Sequence, residues 1–386
     1  MLVTRQTAAS VSASMMLACL YLCSTAAASQ RVVFATKSPP RFASLRQAHI
    51  AVSPPQALPI TGLKLASVDG GANPRATARL ISSYPGVAWA EPDEAYRLLA
   101  VDPLRHSQWA LNSMHAQAGW ALAGIGPLPA NSGPTIAVID SGADATHEDL
   151  RGRIRACAAS FQGRVREGLC DDRAGHGTHV SGIAAAATGN GLGIAGVAAG
   201  SQLIECRAVG AEGAGSSSDV AACIGWAVRQ KAKIVSLSLG GPDTKPIRTA
   251  VDVATASGAL VVAAAGNSGT SDREFPAGYK AVVAVGAVGP NGKRAVFSNA
   301  NADVEITAPG VDVLSLAPGN RYLKMTGTSM AAPHVAGAAA LLWQAHPTDT
   351  LAALRARLDR SVRDAGPSGR DSQYGFGVLD LASPAA

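Results

Sequence analysis

A serine stands between a glycine and a long apolar run in Gly327-Thr328-Ser329-Met330-Ala331-Ala332-Pro333-His334, where a helix would begin. The first backbone N–H groups of a helix have no intrahelical acceptor and its dipole favours negative charge, so this serine has a stabiliser for an oxyanion beside its own hydroxyl. Capping is the ordinary work of Ser or Thr in such a place, and the stretch alone favours it. Three other residues change the balance. Asp140 closes an apolar run in Ala137-Val138-Ile139-Asp140-Ser141-Gly142. His176 opens Gly175-His176-Gly177-Thr178-His179-Val180-Ser181-Gly182, and Asn267 follows another apolar run in Ala264-Ala265-Gly266-Asn267-Ser268-Gly269. A serine hydroxyl is a weak nucleophile and needs an adjacent base, and a histidine serves as that base only if a third group fixes its tautomer and steadies the imidazolium. Four such residues at strand ends and helix starts, brought to one sheet edge, would make a hydrolytic site.

Such a set works only if separate elements deliver its members to one place. The continuously apolar runs Thr135–Asp140, Leu203–Val209, Ile234–Leu239, Ala259–Ala265 and Ala281–Val288 read as strands of a parallel sheet covered on both faces. Between and after them, His176–Ala187, Ser217–Lys231, Lys245–Ser257, Ser329–Ala345 and Thr350–Arg360 read as helices. This alternation predicts an α/β fold, a mostly parallel central sheet flanked by helices, with its site at the carboxyl ends of the strands. Residues 31–100 have a different texture. Strand-like runs at Arg31–Thr36, Leu63–Val68 and Val87–Ala90, with a helical stretch from Pro74 to Ser83, make a small α+β unit without catalytic-type clusters.

The chain has 386 residues and 47% apolar composition, ample for a sizeable core. Its formal charge of +6 is concentrated early: residues 1–100 carry nine Lys/Arg against four Asp/Glu, leaving 24 against 23 in the remainder. Without that first quarter the protein is close to neutral, so charge gives no reason to expect a nucleic-acid partner. Residues 1–28 have the layout of a secretory signal, with Arg5, an apolar segment from Val11 to Cys23 and Ala26-Ala27-Ala28 as the cleavage site. The alternative is a lipoprotein anchor at Cys19 through Leu17-Ala18-Cys19, which Met16 fits poorly. No later run approaches the ~18 apolar residues of a membrane span, and a secreted or periplasmic monomer is expected.

Four cysteines follow the signal. Cys157 and Cys170 bracket an Arg-rich segment that reads as an exposed loop and are expected to bridge, worth roughly 3 kcal/mol by loop entropy. Cys206, in an apolar strand, and Cys223, in the next helix, either pair or remain buried thiols. Two patterns mislead. Gly191-Leu192-Gly193-Ile194-Ala195-Gly196 has the letters of a dinucleotide fingerprint but no strand leads into it, and His176 and His179 lack the spacing of a zinc helix.

The three blocks Ala137–Gly142, Gly175–Gly182 and Gly327–Gly337, in the chain order Asp, His, Ser, together with Ala264–Gly269, resemble the subtilisin-like serine proteases from about Asp102 to Leu381. The resemblance implies that Asp140 orients, His176 is the base and Ser329 the nucleophile, while Asn267 and the Ser329 N–H hold the oxyanion. It implies that Ser238-Leu239-Gly240 pairs with an extended peptide substrate and that Gly213-Ala214-Gly215 forms the opposite wall. Ala264, Ala265 and Gly266 would line the first pocket; being small, they lead us to expect an apolar residue before the scissile bond. Asp272, Arg273 and Glu274 lie in a neighbouring loop able to bias that choice. Residues 29–100 resemble the family's propeptide, most clearly in Tyr84-Pro85-Gly86-Val87-Ala88-Trp89-Ala90-Glu91-Pro92-Asp93, which implies a folding assistant and inhibitor of the 101–386 peptidase domain. The junction falls near Leu98-Leu99-Ala100-Val101. Asp102, Asp149 and Asn190 match positions of a structural Ca²⁺ site, a role suited to their oxygen donors.

Overall fold

The computed structural model describes residues 31–36, 52–68, 73–93, 101–126 and 131–383; the signal with Cys19 and Cys23, and residues 98–100 of the expected junction, lie outside them. The chain divides into two compact units, Met1–Leu98 and Leu99–Ala386.

In the first unit, alternation in β1 (Arg31–Thr36) buries Val32 and Phe34 while their neighbours stay half-exposed. Strands β2 (Gln56–Ala57), β3 (Leu63–Ser67) and β4 (Val87–Pro92) join it in the antiparallel order β2-β3-β1-β4. Helix α1 (Pro74–Ser82) starts on Asn73, whose side chain accepts from the N–H groups of Arg75 and Ala76, with Pro74 supplying a preset φ. It buries Ala78 and Ile81 in the cluster of Val32 and Phe34.

The second unit opens with two short helices that the apolar pattern did not announce, α2 (Trp109–Ser113) and α3 (Ala116–Leu122). The alternating series follows: β5 (Ile136–Asp140), β6 (Ile154–Phe161), β7 (Arg164–Glu167), α4 (His176–Ala185), β8 (Leu203–Arg207), α5 (Ser217–Arg229), β9 (Ile234–Leu237), α6 (Lys245–Ala256), β10 (Leu260–Ala264), β11 (Val282–Val288) and β12 (Val304–Pro309). A hairpin of β13 (Val313–Ala317) and β14 (Arg321–Met325) precedes α7 (Thr328–Ala345), α8 (Leu351–Arg360), β15 (Val362–Arg363) and β16 (Val378–Leu379). Ten strands form one sheet in the order β15-β16-β12-β11-β10-β9-β5-β8-β6-β7, and every neighbouring pair from β16 to β6 is parallel.

Successive residues of a strand face opposite sides, which is why these strands need apolar residues throughout. On β5, Ile136 and Val138 enter the cluster built on α4 and α7, while Ala137 and Ile139 enter the one built on α5 and α6. Helix α7 is buried along most of its length, so its sequence is apolar on every side rather than striped.

The segment between Cys157 and Cys170 is largely exposed from residue 161 onward, as expected, but it is not a loop. It is the β6–β7 hairpin, with Cys157, Ala158 and Ala159 buried and β7 closing the sheet edge with Arg164 and Arg166 in solvent. An edge strand with one wet face lacks the continuous apolar signature of its central neighbours. Both disulfides are present. Cys157 pairs with Cys170, and Cys206 pairs with Cys223, which fastens α5 to β8 and resolves the alternative left open by the sequence.

Candidate active site

Strand β5 lies mid-sheet between β8 and β9, and Asp140 is its last residue. The Asp140 carboxylate is almost fully buried; Oδ1 accepts from the Ser141 N–H at 2.8 Å and lies 2.7 Å from His176 Nδ1. A carboxylate only accepts, so Nδ1 carries the proton and Nε2 presents a lone pair. Burial alone pushes the imidazole pKa down, but the charge and hydrogen bond of Asp140, with Asp172 behind them, leave it above the ordinary 6.5.

His176 is aimed by the way α4 starts. Asp172 Oδ1 accepts from the N–H groups of Ala174 and Gly175 and from Ser141 Oγ, and Oδ2 accepts from Thr178 N–H and Oγ1. One carboxylate thus caps the helix and ties it to the turn after β5. Gly177 permits the close approach, since a Cβ there would stand 2.0 Å from Gly142 O. Asp172 was not identified from sequence; the available signal was an acidic residue just before a glycine-led helix.

Ser329 is the second residue of α7 and is partly exposed between the buried Thr328 and Met330. Its hydroxyl donates to Ser238 O at 3.2 Å, and Ser238 Oγ donates back to Ser329 O at 2.8 Å. Pro333 explains the second bond: it lacks the N–H that would meet the carbonyl four residues earlier, leaving Ser329 O for Ser238. Asn267 Oδ1 accepts from both Thr328 N–H and Thr328 Oγ1 at 2.8 Å, which orients the amide and leaves Nδ2 to donate elsewhere. A Cβ placed on Gly327 would stand 3.5 Å from Asn267 Nδ2 and 3.7 Å from Ser329 N, so these two donors flank one small space. Thr328, wholly buried, is a second positioning residue missed in the sequence.

The cleft runs past these groups. A cavity of about 240 Å³ is lined by Asp140, His176, Ser238, Leu239, Gly240 and Gly213. A second, of about 310 Å³, shares Gly213, Leu239 and Gly240 and adds Gly215, Val220 and Phe275. Residues 238–240 and the glycines at 213 and 215 thus contribute to the lining of these cavities, and exposed Ala214 stands between the two glycines. Ala264 and Ala265 are buried and Gly266 is half-exposed. Between Gly266 and Gly240 lies the side chain of Glu274: a Cβ on Gly266 would meet its Cγ at 2.6 Å, and one on Gly240 would meet its Oε2 at 3.0 Å.

Three other titratable residues are buried nearby. His179 Nε2 lies 3.1 Å from Val313 O and 3.2 Å from Leu323 O, and burial lowers its pKa to about 4. His334, also lowered to about 4 by burial, bonds Met330 O through Nδ1. Both are neutral core histidines, and neither is a second base. Glu205 on β8 receives the Ser181 hydroxyl at 2.7 Å on Oε1, while Oε2 has no partner. Burial first, then the charges of Asp140 and Asp172, push its pKa well above the usual range, which favours the protonated form.

Asp102, Asp149 and Asn190 converge on the loop before Ile194, which is a loop as the fingerprint's context required. Asp102 accepts from Gly189 and Gly191 N–H, while Asp149 accepts from Ile194 N–H, Asn190 Nδ2 and Tyr322 Oη. Both carboxylates are buried, have no ion pair among the described residues and are pushed up by burial, Asp102 also by the Asp149 charge. That chemistry suits a cation. Among the described residues no three His, Cys, Asp or Glu side chains gather as a metal cluster, so amide and carbonyl oxygens would have to complete any shell.

A family model described as "Subtilase family" matches residues 131–377. Subtilisin E of Bacillus subtilis (strain 168) is 38% identical over 307 residues, spanning 78% of this chain and 76% of the relative. Subtilisin DY of Bacillus licheniformis is 41% identical over 255 residues, 65% of this chain and 90% of its own. The Thermophilic serine proteinase of Bacillus sp. (strain AK1) is 40% identical over 275 residues, 70% of this chain and 66% of its own.

Proposed function

The chain belongs to the subtilase family and is a serine-type endopeptidase, and from that premise we propose that Asp140, His176 and Ser329 are its triad and Asn267 its oxyanion donor. The observation that carries the assignment is the pair of donors, Asn267 Nδ2 and Ser329 N–H, flanking one space beside the Ser329 hydroxyl, with the Asp140–His176 couple lining the adjoining cleft. An extended peptide pairs with 238–240 on one side and 213–215 on the other. The Ser329 hydroxyl leaves Ser238 O, gives its proton to His176 Nε2 and attacks the scissile carbonyl carbon. Asp140 holds the imidazolium in register through Nδ1 and stabilises its charge. The carbonyl oxygen becomes an oxyanion between the two donors, in a site that needs no reorganisation to receive it. His176 returns the proton to the leaving amine, an acyl-enzyme forms on Ser329, and water activated by the same imidazole hydrolyses it.

The layout of residues 1–28 supports export, and the propeptide resemblance of 29–100 supports synthesis as a self-inhibited precursor that cuts itself near residues 98–101. No described helix is long and apolar enough to cross a membrane. Asp102, Asp149 and Asn190 would hold a structural Ca²⁺, neutralising two buried carboxylates and taking no part in the chemistry.

Ser329→Ala tests the reading. It should abolish peptide hydrolysis and labelling by a serine-directed organophosphorus reagent and leave the precursor uncut. Wild-type turnover in that variant would sink the assignment.

A further inference from the structure

Among the carboxylates near the cleft, Glu274 is held in place by backbone on either side. Phe275 and Gly241 exchange both backbone hydrogen bonds at 3.0 Å, which fixes residue 274 against Gly240. The side chain then passes between Gly240 and Gly266, two walls without side chains of their own. Among the described residues its carboxylate has neither a hydrogen-bond donor nor an ion-pair partner. The adjacent cation does not serve it: Arg273 turns to Asp303 and Gly278 O and stacks over Phe275. Asp272 is occupied with Thr270. Glu274 remains half-exposed.

We propose that Glu274 is the floor of the first pocket and makes this enzyme select a lysine or arginine before the scissile bond. The inference rests on the peptidase reading above and deepens it. The expected apolar preference comes from the small walls Ala264, Ala265 and Gly266, and Glu274 belongs to the neighbouring loop able to bias it. A long cationic side chain entering between Gly240 and Gly266 runs its methylenes along small walls and brings its charge to Oε2. A phenylalanine or leucine in the same pocket covers an unpaired carboxylate and removes its water with nothing in return, a cost that discriminates more strongly than the loss of an attractive contact. Discrimination arises where the substrate lacks the group the site is built to satisfy.

The experiment measures kcat/KM for peptide anilides identical except for Arg, Lys, Phe or Leu before the cleaved bond, at one ionic strength. Enzyme concentration is set by titration with a serine-directed organophosphorus reagent. Arg and Lys should exceed Phe and Leu by about tenfold or more, the scale of one charge-assisted contact. E274Q keeps size and removes charge, and should lower the Arg-to-Phe ratio by about tenfold. E274D, which withdraws the carboxylate by one methylene, should retain a basic preference. A wild-type enzyme that favours Phe or Leu, or an Arg-to-Phe ratio unmoved in E274Q, overturns the inference and leaves the peptidase reading intact. A preparation that neither reacts with the reagent nor cuts any anilide overturns both.

Discussion

Thr328→Val should slow catalysis through a residue that touches no substrate. Thr328 places two donors on Asn267 Oδ1, its N–H and its hydroxyl, each at 2.8 Å, and the hydroxyl also receives Gly266 N–H at 3.3 Å. Valine keeps the shape and the N–H but deletes the hydroxyl, so one of the two bonds that aim the amide is lost. A neutral hydrogen bond is worth about 1 kcal/mol net, which corresponds to about fivefold in kcat if the loss is felt only when the oxyanion forms. KM should hardly move, because the ground-state carbonyl carries little of the charge that Asn267 meets. Asn267→Ala, which removes the donor itself, should cost about 10²–10³ in kcat. Steady-state kinetics of both single variants and the double variant on one peptide anilide provide the check. If Thr328 acts by aiming Asn267, the valine substitution has almost no effect once Asn267 is alanine. A double variant whose defect is the product of the two single defects would refute the positioning role.

Asp140 raises the His176 pKa above 6.5 against its burial, so the acid limb of kcat/KM should fall at an apparent pKa above that value; Asp140→Asn should lower kcat by about 10⁴, and a wild-type limb below 6.5 would contradict the coupling. Glu205, whose folded pKa is raised far above the ordinary 4.5, holds a proton that the unfolded chain releases. Its contribution is fully present below that ordinary value and declines by about 1.4 kcal/mol per pH unit until the folded pKa is passed. Glu205→Gln lacks this dependence, so thermal unfolding of the Ser329-blocked enzyme should show the variant gaining on wild type from pH 5 to 8. Parallel curves would mean that Glu205 is not held neutral.

The residues nominated for the chemistry were legible because each sits in a local signature: a carboxylate ending an apolar run, a histidine and a serine each behind a glycine at a helix start, an asparagine just past a strand. The α/β class was legible for a similar reason, since a strand buried on both faces must be apolar at every position. Edge strands escaped that filter. Arg164 and Arg166 of β7 face water, so their hairpin reads as a loop in the sequence. Whether Cys206 meets Cys223 depended on how α5 packs on β8, which no spacing encodes. Glu274 makes the same point for function. In sequence it is one of three charged residues in a polar loop, and its setting differs from that of Arg273 only because the Gly241–Phe275 bridge turns it between two glycines. Sequence determines which groups are available and which elements carry them. Which carboxylate is buried beside His176, which amide is turned to present its N–H, and which charge lies beneath the first pocket are set by contacts between residues far apart in the chain, and these exist only once the sheet and its helices have packed.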